Sequence, residues 1–395
     1  MPAGLGRGQL SVNGYSEGWL RRGFPWVYRD ELTGGEQALA AGSTVSLRAP
    51  DGRSLGSGIW SPAGKVAVRV WRTDDGPIDA ALIRARLDAA RRRRALPPQT
   101  DAWRWVHGEN DDMPGVRVDV WGDQLAIALE DPSLAVLLPA LVQGLVELGA
   151  PTAIWRADRP TDEPSTSVEA RGLLWGEAPE TEVVVSELGL RFAVRPGASH
   201  DVGLFCDMRE ARAWLAPHLA GRRVLNLFAH TGAFSVQAAA HGAAEVLTVD
   251  LSATWLQRAR QNMVLNGLDP SSTRFMEEDA LAALDLLRRK GARFDLIIAD
   301  PPSFSHGPRG EWSVTRDLGR LVASCCRVLD PGGWLMVASN HGGLSPKDFG
   351  SMIQSGALKA ETPLRLLHEA GTPLDFPAAL SFPESRYLKC WVLGR

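Results

Sequence analysis

The second half of the chain carries the residues whose types and spacing can do chemistry. Leu225-Asn226-Leu227-Phe228-Ala229-His230-Thr231-Gly232-Ala233-Phe234 reads as an apolar strand, a tight loop and the start of a helix. Gly232 is the position there where a backbone can pass close to a ligand. The loop matches neither the Gly-x-x-x-x-Gly-Lys-Ser/Thr nor the Gly-x-Gly-x-x-Gly pattern, so a ligand without a pyrophosphate is preferred. Asp250 ends the next strand, where a carboxylate can accept from a ribose diol or simply cap the strand end. Asp279 follows a third strand and can accept an adenine amino proton or cap a helix. Asp300-Pro301-Pro302-Ser303-Phe304 ends a fourth, continuously apolar strand. Two prolines fix that backbone and remove two donors, which lets carbonyls and Asp300 face a pocket. Phe304 can stack on a base.

The elements that must position these residues follow a regular order. From about residue 183, strands and helices alternate, which predicts an α/β fold with a doubly wound parallel sheet and ligands at the carboxyl ends of its strands. Residues 1–75 read as short strands between Gly/Pro turns and predict a small β-barrel. Residues 79–96 read as a helix stopped by Pro97-Pro98, 103–130 as strands, 134–148 as an apolar helix, and 157–181 as a loop or linker. The expected domains are therefore 1–75, an α+β middle part at 76–182, and the doubly wound part at 183–395.

Composition narrows the class. The 395 residues carry a net charge of −3, which excludes a wholesale polycationic coat but permits a local basic groove. No apolar run reaches the roughly 20 residues of a membrane helix, and the start has no charged and then apolar leader. A cytoplasmic protein with no membrane partner is expected. Cys206, Cys325, Cys326 and Cys390 form no Cys-x-x-Cys, so free thiols and no metal site are expected.

In this order, NLFAHTGAFS, LTVD and FDLIIADPPSF resemble class I S-adenosylmethionine-dependent methyltransferases. Within them the chain resembles the bacterial large-subunit rRNA methyltransferases that modify cytosine C5 or guanine N7. Gly23-Phe24-Pro25-Trp26-Val27-Tyr28 resembles the opening of that family's PUA domain, a small RNA-binding barrel. Val106–Gly115 resembles its middle-domain HGE-x-D-x-x-PG segment, and Gly203–Arg209 its TGxFLDQR segment beside the cofactor. Asp201-Val202-Gly203 stands where the family has Lys-Thr-Gly. The resemblance implies S-adenosyl-L-methionine as cofactor, held by Phe205, Asp207, Arg209, Asn226, Phe228, Gly232, Asp250, Asp279 and Asp300. It implies rRNA or a ribosome-assembly intermediate as partner.

Cytosine C5 is a poor nucleophile and needs a thiolate to add at C6 first. Related C5 enzymes carry that Cys after the fourth strand's proline or at the end of the fifth strand. Here those places hold Ser303 and Ser339-Asn340-His341. Ser339-Asn340, DPPSFS and Cys390-Trp391 resemble segments of the guanine-N7 relatives. A Cys-independent methylation of guanine N7 or another nitrogen is therefore expected. Asp300, Asn340 and Ser303 are the catalytic candidates, and Pro301, Pro302 and Phe304 line the substrate side. The alternatives are a C5 enzyme using Cys206, a module that has lost catalysis, or a methyltransferase of a non-RNA substrate. Arg84, Arg91 and Arg94 fall near one helical stripe that can meet phosphates, with Arg21-Arg22, Arg48 and Arg53 as a second patch. Exposed strand edges leave a homodimer open.

Overall fold

The computed structural model describes residues 8–35, 39–158, 171–179, 182–197, 201–307 and 310–395. The N-terminal strands form a six-stranded sheet in the order 26–28, 66–72, 54–60, 44–48, 8–12, 32–34. It curls because its strands slip register at Ser11/Val12, Val27/Tyr28, Leu47/Arg48 and Ser57/Gly58, and bulges bend the strands that carry them. Gly56 has φ +117°, and a Cβ there would fall 1.9 Å from the Arg72 carbonyl oxygen, so only glycine lets these strands close up. Leu10, Val27, Val45, Leu47 and Val68 fill the concave side.

The middle part is a five-stranded sheet in the order 171–176, 153–157, 124–129, 116–121, 102–107. Helices Ala80–Arg92 and Leu138–Gly149 supply Leu87, Leu141 and Leu145 to the core against this sheet. The apolar segment Pro132–Gly149 is 18 residues long, and Leu134, Leu137, Leu141 and Leu145 bury it in that core. Two expectations change here. The helix expected over 79–96 ends at Arg92, because Arg93 and Arg94 both turn onto Asp111. The stretch expected as a loop over 157–181 contains an edge strand, Arg171–Gly176, antiparallel to Ala153–Ala157; the rest of its Pro- and Thr-rich part lies outside the described residues.

A hairpin, Val183–Glu187 with Leu190–Val194, leads into the C-terminal sheet. Its seven strands are β1 Arg223–Leu227, β2 Glu245–Asp250, β3 Arg274–Glu277, β4 Phe294–Ala299, β5 Leu329–Ser339, β6 Arg365–Ala370 and β7 Lys389–Gly394, in the order β3-β2-β1-β4-β5-β7-β6. The first five are parallel, and β7 and β6 add antiparallel. This is the expected doubly wound α/β sheet, with the expected closing pair of strands. Order reverses between β1 and β4, so their carboxyl ends open a crevice at the switch point. β1 and β4 are buried on both faces, as apolar runs such as Leu296-Ile297-Ile298-Ala299 require.

Candidate active site

The loop after β1 is held in an unusual backbone shape. Phe228 and His230 have φ of +54° and +51°, a left-handed conformation that costs a non-glycine residue about 1–2 kcal/mol. Several bonds hold it there. Ala229 N donates to Val249 O at 3.0 Å, and His230 N to Asp250 Oδ2 at 2.8 Å. Thr231 Oγ1 donates to Gly203 O at 2.5 Å, and Asn262 Nδ2 to Thr231 O at 2.9 Å. The His230 ring lies between Phe205 at 5.2 Å and Trp255 at 4.3 Å, with Nε2 3.0 Å from Asp201. Backbone strain of this kind persists where the surroundings over-determine it, which is common at ligand sites.

Three sequence candidates do something other than line this site. The Asn226 amide donates to Ser235 Oγ at 2.9 Å, where Thr248 also donates, so it ties β1 to the following helix and β2. A Cβ on Gly232 would lie 2.7 Å from the Ala259 Cβ, so the glycine admits a neighbouring helix. Arg209 is 1% exposed and ion-pairs with Glu187 at 3.2 Å and Asp375 at 2.6 Å, while donating to Ala102 O. It joins the hairpin, a late loop and the middle sheet, away from the opening. Asp250 and Asp279 sit at the ends of β2 and β3 but also cap: Asp250 Oδ1 accepts from Ser252 N and Asp279 Oδ1 from Ala282 N. Each keeps further lone pairs for a ligand.

The other half of the site gathers around Asp300. Burial and the neighbouring Asp207 push its carboxyl up to about 7, against the opposing pull of Arg212. Asp207 Oδ2 accepts from Tyr387 Oη at 2.8 Å. Ser303 Oγ donates to Asn340 Oδ1 at 2.8 Å, so the two polar residues expected at the mouth meet there. Lys389 is buried and donates to the carbonyls of His341 and Tyr387, both at 2.6 Å, which fixes the loop carrying Asn340. Pro301 is buried, but the Pro302 carbonyl does not face a pocket: it accepts from Trp312 Nε1 at 2.8 Å. Phe304 is 54% exposed on a hairpin with Gly310–Ser313. A cavity of about 610 Å³ opens on this mouth, bounded by Asp207, Ser303, Asn340, Tyr387 and, on the far side, Glu109 and Trp26.

The four cysteines are free and buried. Burial, together with Glu187, pushes the Cys206 thiol well up. Cys325, Cys326 and Cys390 are raised by burial as well.

Residues 163–381 match the model of the S-adenosylmethionine-dependent methyltransferase family, and residues 11–73 that of a PUA-like domain. Ribosomal RNA large subunit methyltransferase I of Shewanella denitrificans is 33% identical over 378 residues, covering 94% of this chain and 95% of that one. Its namesake from Erwinia tasmaniensis is 32% identical, covering 96% and 97%. This chain belongs to the S-adenosylmethionine-dependent methyltransferase family. A solved methyltransferase complexed with S-adenosylhomocysteine has the same fold, with a TM-score of 0.89 at 22% identity over 98% of this chain and all of that one.

The residues of this methyltransferase fit its cofactor. Burial first, and then the neighbouring Asp207 charge, raises Asp300, and Arg212 offsets only part of this. A sulfonium cation placed beside that pair supplies the missing charge. Phe205, 45% exposed over the strained loop, offers a face for a ring or thioether.

The basic stripe expected of Arg84, Arg91 and Arg94 loses its last member and keeps the other two exposed. Arg94 is buried on Asp111, Arg93 pairs with the same carboxylate, Arg84 with Glu147, and Arg91 lies over Trp105. Arg86 donates to the carbonyls of Trp71 and Asp112. In the second patch Arg21 pairs with Glu17, Arg48 with Asp75 and Arg53 with Asp51, while Arg22 lies over the Trp19 ring. Tyr387, Lys389, Glu187 and Asp375 were not legible as site or support residues. Tyr387 meets Asp207 across 180 residues, Asp375 meets Arg209 across 166 and Lys389 meets His341 across 48, so no local pattern marks them.

Proposed function

We propose that this protein methylates a nitrogen of a base in large-subunit (23S) ribosomal RNA, without a cysteine nucleophile. The names of its ribosomal RNA methyltransferase relatives and the PUA-like match support an RNA acceptor. One observation carries the cysteine-independent part. The positions where a thiol would be needed hold the hydrogen-bonded Ser303–Asn340 pair, and Cys206, the thiol that lines the cavity, is buried and pushed up. A protonated, enclosed thiol is a poor nucleophile.

In this reading residues 1–75 bind RNA, 76–182 form the middle wall and 183–395 hold the cofactor. Bound S-adenosylmethionine supplies an electrophilic methyl group on a sulfonium. Phe205 and Phe228 cover the strained loop, Asp250 accepts from the ribose hydroxyls and Asp279 from the adenine amino group. Asn226, Gly232 and Arg209 support these residues from behind. Asp207 and Asp300 hold negative charge beside the sulfonium, and Tyr387 fixes the Asp207 rotamer. Ser303 and Asn340 orient the acceptor base so that its lone pair points along the line of displacement. Pro301, Pro302 and Phe304 form the base-facing rim. Where the acceptor is an exocyclic amine, the Asp300 carboxylate takes its proton. Nothing here asks for a metal, and the work is done in the cytoplasm, where ribosomes are assembled.

The test is methyl transfer from labelled S-adenosylmethionine to unmodified large-subunit rRNA, with the product nucleoside identified by mass spectrometry, for the wild type and Cys206→Ala. A methylated guanine or amino group in both supports the reading. A 5-methylcytosine lost in Cys206→Ala refutes it.

A further inference from the structure

The cavity beyond the mouth is larger than one acceptor base requires: about 610 Å³ lies in the range of pockets for drug-sized ligands. Its far wall is a built polar site. Glu109 takes two hydrogen bonds, from Trp26 Nε1 at 2.8 Å and from Gly115 N at 3.0 Å, and both fall on Oε1. Oε2 is left to the cavity. Arg69 lines the same wall, is 8% exposed, and pairs through Nη1 with Asp131 at 3.4 Å, while its buried Nε has no hydrogen-bond partner among the described residues. Burial raises the Glu109 carboxyl, and the Trp26 bond and the nearby Arg69 guanidinium oppose that rise. Trp26 and Phe382 stand edge to face at 4.7 Å in this wall and present ring surface.

A carboxylate oxygen beside a guanidinium nitrogen reads an edge that sets N–H donors next to an acceptor. Guanine's Watson–Crick edge does this with O6, N1–H and the N2 amino group, offering two adjacent donors where the other bases offer one. Aromatic surface beside it is how single-stranded RNA bases are held. We propose that the cavity takes a second nucleotide of single-stranded RNA beside the acceptor, and that Glu109 with Arg69 selects guanine there. The proposal deepens the RNA reading above and rests on it.

Glu109→Gln is the informative variant. Its Oε1 still accepts from Trp26 and Gly115, so the wall keeps its bonds, while the cavity-facing oxygen becomes an amino donor. RNA oligonucleotides differing only in the nucleotides on either side of the acceptor are compared in two assays, methyl transfer and binding by fluorescence anisotropy. Guanosine is also replaced by inosine, which lacks the N2 amino group. The wild type is expected to favour guanosine at one flank by about 10- to 100-fold, the range of a good two-point base contact. Inosine should lose part of this preference and Glu109→Gln nearly all of it, with unchanged affinity for S-adenosylhomocysteine. Transfer with no flank preference, or with the same preference in Glu109→Gln, overturns the inference and leaves the RNA reading standing. Guanosine-selective binding without transfer keeps the inference and overturns RNA methylation. Neither binding nor transfer overturns both.

Discussion

Replacing Asp300 by Asn tests the charge logic of the site. The Asp300 carboxyl moves from the ordinary 3.8 to about 7 on folding. A raised carboxyl binds its proton more tightly in the folded chain. The associated stability is therefore present in full below about 3.8 and lost as pH rises towards 7. The gap of about three pH units corresponds to about 4 kcal/mol, an upper figure because local opening relieves part of it. Asn keeps the shape and cannot ionise. Without cofactor, Asp300→Asn should therefore gain on the wild type as pH rises from 5 to 8, by about 2–3 kcal/mol. Urea unfolding at the two pH values measures this directly. Calorimetric titration supplies the functional half. The wild type should prefer S-adenosylmethionine to the neutral S-adenosylhomocysteine more strongly at pH 8 than at pH 6, and Asp300→Asn should lose that pH dependence. Parallel stability curves for the two proteins, or a cofactor preference indifferent to pH in the wild type, would refute the reasoning.

Other variants separate support from site. Arg209→Ala leaves Glu187 and Asp375 each short of a buried partner and should cost about 3–5 kcal/mol in urea unfolding. Tyr387→Phe removes one hydrogen bond to Asp207 and should lower kcat about tenfold, with the melting temperature within a few degrees of wild type. Asn340→Ala should reduce kcat/KM for RNA about 10- to 100-fold while calorimetric cofactor affinity stays unchanged. A parallel loss of cofactor affinity would move Asn340 to the other half of the site.

The sequence reveals most where structure is local. Val224–Phe228, Phe294–Ala299 and the Ser345-Pro346 helix start follow from short apolar runs and capping chemistry, and each forms where expected. The Ser303–Asn340 pair is foreseeable because both residues lie in the loops that leave the carboxyl ends of adjacent parallel strands. Arg209 and Asn226 mislead for a shared reason: a polar residue near a ligand loop can as well bond its own scaffold, and only burial distinguishes the two. Arg94 reads as part of an open stripe with Arg84 and Arg91 because its partner Asp111 comes from another element. Arg171–Gly176 is hidden by its composition, since an edge strand completed by one neighbour needs little apolar periodicity.

The mouth built from Asp207, Ser303, Asn340 and Tyr387 has a consequence for biosynthesis. The ribosome adds about 5–20 residues each second, so Tyr387 leaves the peptidyl-transferase centre roughly 10–40 s after Asp207. By the later part of that interval the nascent chain holds the loop after β1 with its partners Asp250 and Asn262, yet the acceptor side is incomplete and Arg209 waits for Asp375. A half-made chain tethered to a ribosome, surrounded by the very class of RNA it is proposed to modify, is thereby kept from acting before release.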